Sequence, residues 1–89
     1  MAFKTKDLSV LAYANGFTLW HYMTVDLATD VDTNHYFDAA SDMLRVGDMI
    51  MANIDTDGSA QAGILLVSSN SGGTVDVANL TQVGASNSD

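Results

Sequence analysis

The chain has 89 residues and a mass of 9.4 kDa, which predicts one domain and leaves no second lobe to form a cleft between lobes. Three basic residues stand against 11 acidic ones, all of them Asp, and the net charge of −8 argues against binding a nucleic acid. No stretch approaches the roughly 18 apolar residues of a membrane span and no signal peptide is evident, so we expect a protein that is made in a cytoplasm and binds no membrane. The lack of cysteine excludes disulfides, thiolate metal sites and a cysteine nucleophile.

The surface is expected to be poor in charge. Charged residues make up 16% of the chain and hydrophobic residues 47%, whereas about a quarter of a typical soluble domain is charged. Much of the surface must therefore consist of Ser, Thr, Asn and apolar atoms, which suits contact with other proteins. A chain of this size buries only about 60–70% of its unfolded surface, so a partner would add much to its stability.

The first predicted element is a β-hairpin. Two runs of apolar and β-branched residues, 8–14 and 17–25, flank the pair Asn15-Gly16. Asn-Gly is a strong hairpin signal, because a type I′ turn needs positive φ at both central positions. The first run also fits helical spacing through Leu8, Leu11 and Ala12, so a helix is the alternative for it.

The second strand carries large apolar side chains on both faces. Alternation places Phe17, Leu19, His21, Met23 and Val25 on one face and Thr18, Trp20, Tyr22 and Thr24 on the other. A half-exposed strand would show only one apolar face, so this strand is either central or covered on its second face by another subunit. Trp20 and Tyr22 are therefore interface candidates, with burial in the chain's own core as the alternative.

An acidic connection over 26–32 leads into a predicted amphipathic helix over about 34–46. Asp32 or Thr33 is placed to cap its N-terminus, and Gly47 follows its last turn, where a left-handed residue often ends a helix. Its apolar positions recur at helical spacing: Tyr36, Phe37, Ala40, Met43 and Leu44.

Three further strands are predicted over 48–54, 61–69 and 74–83. We therefore expect a mainly β fold, a small barrel or sandwich of about five short strands with one inserted amphipathic helix. Residues 1–84 would form this domain, including an N-terminal arm over 1–7, and 85–89 a flexible tail. The arm holds Lys4 and Lys6, which either belong to a solvated terminus or contact an acidic neighbouring surface.

No residue pattern predicts catalysis, a cofactor or a metal site. Asn53 to Gly58 matches the first half of an EF-hand loop, but the twelfth position is Ile64, which supplies no carboxylate, and no helices flank the loop; we expect a hairpin turn. His21 and His35 lack partners at metal-ligand spacing. No Gly-x-Ser-x-Gly motif is present, so we do not expect an enzyme.

Two segments resemble small virion proteins of tailed bacteriophages and of the related gene transfer agents. They are LSVLAYANGFTLWHY, residues 8–22, and YFDAASDMLRVGDMI, residues 36–50; together with the Gly-rich strands that follow, they cover most of the chain. The proteins they resemble include head decoration proteins, also called cement proteins, and the bases of head spikes or fibres.

The resemblance implies a structural protein on the outer surface of the capsid, with the major capsid protein as its partner. A cement protein stabilises the head by burying surface across several capsid subunits, and a site on a three-fold axis implies a homotrimer. The base of a spike or fibre is one alternative, which copy number in the particle would distinguish. An acidic protein-binding module, with or without calcium, is another, which sensitivity to salt and chelators would distinguish.

Overall fold

Six strands form one open sheet, and the connection between β2 and β3 covers one of its faces. The computed structural model describes residues 3–84. The strands are β1 (Leu8–Ala14), β2 (Phe17–Met23), β3 (Met49–Ile54), β4 (Gln61–Ser71), β5 (Thr74–Val77) and β6 (Thr81–Val83). The helical segments are α1 (Ala28–Val31) and 3₁₀ turns at Thr5–Asp7 and Asp38–Ala40. The prediction of a mainly β fold is confirmed.

The sheet is mixed and does not close into a barrel. Its strands lie in the order β1-β2-β3-β4-β5, and β6 also pairs with β4. β2 and β3 are parallel, and every other pair is antiparallel. Because parallel neighbours need a crossover connection, the chain passes over one face of the sheet between β2 and β3. Of the two predicted forms, the molecule is therefore the sandwich-like one.

The predicted hairpin is confirmed, and with it the strand assignment of residues 8–14. Asn15 and Gly16 both have positive φ, 53° and 78°, as a type I′ turn requires. Ala14 pairs with Phe17 next to the turn, and a bulge interrupts the register between Val10 and Ala12.

We expect Gly16→Ala to lower the free energy of unfolding by about 1 kcal/mol, because an alanine resists positive φ. A Cβ at this position would have no heavy atom within 4 Å, so the loss is conformational and not steric. Gly16→Asn is the matched control, since Asn tolerates the left-handed region and should lose less. Urea unfolding measures both variants, and equal stability of Gly16→Ala and the parent would contradict the role assigned to the turn.

β5 and β6 replace the single strand predicted over 74–83. The segment between β5 and β6 makes one hydrogen bond to β4, from the Ala78 amide to the Leu66 carbonyl at 2.8 Å. Just beyond it the chain lies very close to Gly63, where a Cβ would stand 2.5 Å from the Thr81 carbonyl oxygen and 2.7 Å from Leu80 Cγ. Only glycine fits at this point of β4.

The predicted helix over 34–46 is not formed; the segment is a series of turns with one 3₁₀ turn, Asp38–Ala40. His35 has a φ of 81°, which interrupts any helix there. The side-chain amide of Asn70 donates to the Ser41 and Leu44 carbonyls at 2.7 and 2.6 Å. The Asp38 carboxylate accepts the Val75 amide at 2.8 Å. Bonds to β4 and β5 thus take the place of helical ones.

The core lies between the sheet and this covering connection, residues 24–48. From the strands it takes Trp20, Tyr22, Ile50, Ala52, Ile54, Leu65, Val67, Val75 and Val77, and from the connection Val31, Phe37, Ala40 and Leu44. The predicted apolar positions of 34–46 thus mostly face inward, although the helix is absent. The described residues contain no helix that is long and apolar enough to cross a membrane. The predicted tail, 85–89, and the first two residues of the arm lie outside the described residues.

Candidate functional site

The second face of the sheet has no covering layer within residues 3–84, and we call it the open face. Three cross-strand rows of side chains build it: Leu19–Met49–Leu66, His21–Met51–Ile64–Thr81 and Met23–Asn53–Ala62–Val83. These residues alternate along each strand with the buried core residues, so they point away from the covering connection. Met49, Met51 and Leu66 are each more than 40% exposed near the centre of the sheet.

The open face is uncharged as well as apolar. The strands β1, β2, β3, β4 and β6 contain no Asp, Glu, Lys or Arg, and Asp76 in β5 is the one charged residue of the described sheet. Contiguous apolar patches on soluble proteins mark interaction sites. Met49, Met51 and Leu66 were not predicted as interface residues. Met51 and Leu66 each stand between two apolar residues, a pattern that indicates a strand with two apolar faces.

The two polar side chains in the middle of the open face bind each other. His21 Nε2 and Asn53 Oδ1 are 2.7 Å apart, across the parallel pair β2 and β3. Beside them lies a cavity of about 170 Å³ bordered by Met51, Ile64 and Val83. Pockets for small ligands usually measure about 300–1,000 Å³. The cavity is smaller than this range, so the open face is close to flat at its centre.

Trp20 and Tyr22 lie on the opposite, covered face of β2, and this corrects their assignment as interface residues. They are 7% and 0% exposed. Trp20 Nε1 donates to the buried Asp48 carboxylate at 3.1 Å, and the Tyr22 hydroxyl lies 2.8 Å from that of Tyr36. The chain's own connection covers these two aromatic rings, so the face of β2 that remains for a partner carries Leu19, His21 and Met23.

The N-terminal arm packs on its own domain through Phe3. The ring of Phe3 lies 5.3 Å from the ring centroids of Tyr22 and Phe37, and the Lys4 amide donates to the Tyr22 hydroxyl at 3.3 Å. Both lysine side chains of the arm are exposed beside a cleft of about 500 Å³, where Lys6 Nζ lies 3.2 Å from Asp7. Exposed pairs of this kind add little stability. A contact of Lys4 and Lys6 with an acidic neighbour stays a prediction.

A chain of hydroxyl groups links the arm to the covering connection. Tyr36 donates its hydroxyl proton to Asp26 Oδ2 at 2.6 Å, so the Tyr22 hydroxyl must donate to the Tyr36 oxygen. Burial, followed by the bond to Asp26, raises the pKa of Tyr36 far above that of a free tyrosine. The neutral hydroxyl is therefore part of the folded state.

We expect alkaline pH to destabilise the fold through Tyr36. A group whose pKa is raised by folding adds stability below its unfolded pKa, about 10 for tyrosine, and that stability is lost as the pH rises above this value. Urea unfolding between pH 8 and 11 should show that the free energy of unfolding of the parent falls as the pH rises. The fall should be less steep for Tyr36→Phe. Tyr13→Phe changes an exposed tyrosine and is the control; its free energy of unfolding should fall with pH as steeply as that of the parent. Equal slopes for the parent and Tyr36→Phe would contradict this role.

The loop that resembles half an EF-hand is a turn between β3 and β4. Asp55 has a φ of 51°, its carbonyl accepts the Gly58 amide at 3.0 Å, and its carboxylate accepts the Ser59 amide at 3.2 Å. Ile64, the position of the missing carboxylate, lies in β4. Among residues 3–84 no three His or acidic side chains are grouped so that they could hold a metal ion.

We expect no calcium site of micromolar affinity in this turn, because its acidic side chains are not joined by a closing carboxylate. Titration calorimetry with calcium measures this directly. Heat of binding that disappears in both Asp55→Ala and Asp57→Ala would contradict the prediction and favour the calcium-dependent module.

The second histidine takes part in a structural contact. His35 Nδ1 lies 2.9 Å from Asp38 Oδ2, at the surface, and the same carboxylate accepts the Val75 amide. The Val75 amide, and then His35, lower the pKa of Asp38. Asp38, held by His35, thus joins the covering connection to β5. That the chain is not an enzyme stays a prediction.

Comparisons with protein-family models, with curated proteins and with solved structures find no significant match to this chain.

Proposed function

We propose that the chain is a structural virion protein, a decoration (cement) protein that binds the outer surface of a phage-type head. Its partners are the major capsid protein and further copies of itself. It stabilises the head by burying protein surface between subunits, so that more free energy is needed to separate them. No chemical step is required. The resemblance of residues 8–22 and 36–50 to small virion proteins supports this proposal, and so does the open face.

The open face is the observation that carries the proposal. It is apolar and uncharged over several strands, and a chain this small gains much stability when such a surface is covered. A nucleic acid or an anionic membrane would need basic side chains, which these strands lack. A protein surface fits the face better, because flat apolar patches with methionine at their centre are typical of protein contacts.

Purified protein and undecorated phage heads test the proposal. We expect the parent to bind the heads and to raise the temperature at which they break. Met49→Lys places a charge in the open face, and Met43→Lys makes the same change on the covering connection. At a concentration that half-saturates the parent, Met49→Lys should lower occupancy at least tenfold, since truncating or altering a central contact often costs about 2 kcal/mol. Met43→Lys should bind as the parent does.

The outcomes separate the possible roles. Failure of the folded parent to bind any head contradicts the cement function. Binding of Met49→Lys equal to that of the parent contradicts the role of the open face in assembly. Binding limited to a few copies at the vertices of the head would assign the chain to the base of a spike or fibre.

A further inference from the structure

We infer that the open face is covered by the open face of a second copy of this chain, which gives a two-fold dimer of two sheets packed face to face. The inference departs from the homotrimer that the resemblance implies, and it assigns the open face to a second copy, so that a head would contact the dimer through its other surfaces. It does not depend on the proposed function, because the dimer forms whether or not a head is present. The described fold has one sheet, and only one of its two faces is covered. Two such sheets that pack through their open faces form a sandwich in which the sheets lie about 10 Å apart.

The distribution of charge favours a copy of the chain as the occupant. Since β2, β3, β4 and β6 contain no ionisable acid or base apart from His21, two open faces meet without burying a carboxylate or an amine. A partner that presented charged side chains here would leave them unneutralised. The acidic residues that give the net charge of −8 lie outside these four strands.

Two polar side chains of the open face are bonded to each other. His21 and Asn53 lie at its centre, and each would lose water when the face is covered. Their 2.7 Å contact gives His21 Nε2 and Asn53 Oδ1 a partner within the chain. Covering this pair therefore costs less than covering two polar side chains that are not bonded.

The area of the open face is of the order that each partner buries in a stable dimer. Together with β1, which pairs with β2 beside Leu19 and His21, the strands of the open face form a surface of five strands about 4.8 Å apart and up to about seven residues long, roughly 24 by 23 Å or about 550 Å² in projection. Accessible area exceeds projected area, and stable interfaces bury about 800 Å² on each partner. Met23, Met49 and Met51 lie on the face, and their unbranched side chains adapt to an identical surface opposite them. A two-fold axis brings the same patch of both copies together.

Sedimentation equilibrium of the purified chain tests the dimer. We expect a reversible dimer of the parent, with a dissociation constant that does not rise between about 0.1 M and about 1 M salt, because no attractive ion pair holds it. Met51→Lys should raise this constant at least tenfold. Met43→Lys, the same change on a residue of similar exposure outside the face, should leave it within twofold. Circular dichroism confirms that both variants fold.

Methionine oxidation tests the same surface in the parent chain. Mild peroxide oxidises exposed methionine to the sulfoxide, and mass spectrometry locates it. Concentrating the protein should protect Met49 and Met51 and leave the oxidation of Met43 unchanged. The inference is overturned by a monomer at every concentration, by a trimer, by a dimer that Met51→Lys leaves as tight as the parent, or by oxidation of Met51 that does not depend on concentration. A monomer that binds heads leaves the proposed function intact, and a dimer that binds none leaves the inference intact.

Discussion

Asp48→Ala is expected to lower the free energy of unfolding by about 3 kcal/mol or more, because it leaves one buried and two partly buried donors without an acceptor. Asp48 is 2% exposed, directly before β3. Its carboxylate accepts the Thr18 amide at 3.2 Å, the Trp20 indole N–H at 3.1 Å and the Arg45 amide at 3.1 Å. One side chain thus holds β2, the covering connection and the start of β3 together.

Thermal unfolding followed by circular dichroism measures this loss. For a domain of this size each kcal/mol lowers Tm by about 4–8 °C, so Asp48→Ala should melt at least about 12 °C below the parent. Asp42→Ala removes an exposed carboxylate of the same connection and should change Tm little. If the two variants melt at the same temperature, the three bonds to Asp48 do not hold the fold as described.

Tyr22→Ala is expected to lower the free energy of unfolding by about 3–5 kcal/mol, the range for removing a fully buried aromatic side chain. The ring of Tyr22 contacts the rings of Phe3, Tyr36 and Phe37, and its hydroxyl bonds Tyr36. The variant would therefore lose the cluster that joins arm, sheet and covering connection.

Two further tyrosine variants show which part of Tyr22 matters. Tyr22→Phe keeps the ring and removes two neutral hydrogen bonds, with Tyr36 and with the Lys4 amide, so it should lower the free energy of unfolding by about 2 kcal/mol. Tyr13→Ala removes a tyrosine that is 64% exposed on the neighbouring strand, and it should cost no more than about 0.5 kcal/mol. Denaturant unfolding ranks the three. A small loss for Tyr22→Ala would mean that this side chain is not core and would restore it as an interface candidate.

Local signals in the sequence predicted the local structure well. Asn15 and Gly16 favour the turn through their own backbone preferences, so that prediction needed no knowledge of distant residues. The strands β3 and β4 likewise follow from short apolar runs bounded by turn residues. The mainly β class then follows from these strands.

The segment 34–46 shows where such signals fail. Its apolar spacing correctly indicated that Phe37, Ala40 and Leu44 face the core. It could not indicate that Asn70, about 30 residues later in the chain, supplies donors to the carbonyls of this segment. Tertiary hydrogen bonds outweighed a helix propensity that is worth only tenths of a kcal/mol per residue.

The sequence predicted the apolar character of the candidate site but not which face of the sheet carries it. The sequence indicated correctly that both faces of β2 are apolar, but alternation alone treats the two faces alike. Which face the chain covers depends on the side over which the crossover to β3 passes, and no residue of β2 encodes that. The larger aromatic side chains, Trp20 and Tyr22, are on the covered face, and the open face has Leu19 and Met23.

The parallel pairing of β2 with β3 is expected to divide the folding of this chain into two stages. The antiparallel pairs β1–β2, β3–β4 and β4–β5 each join neighbours in sequence, so each closes only a short loop and is expected to form early. Pairing Leu19 with Met49 must instead close a loop of about 30 residues, which costs more entropy before any contact forms. We therefore expect docking of the hairpin onto the remaining strands to be the slow step, so that destabilising substitutions in β2 and β3 that slow refolding would support this order.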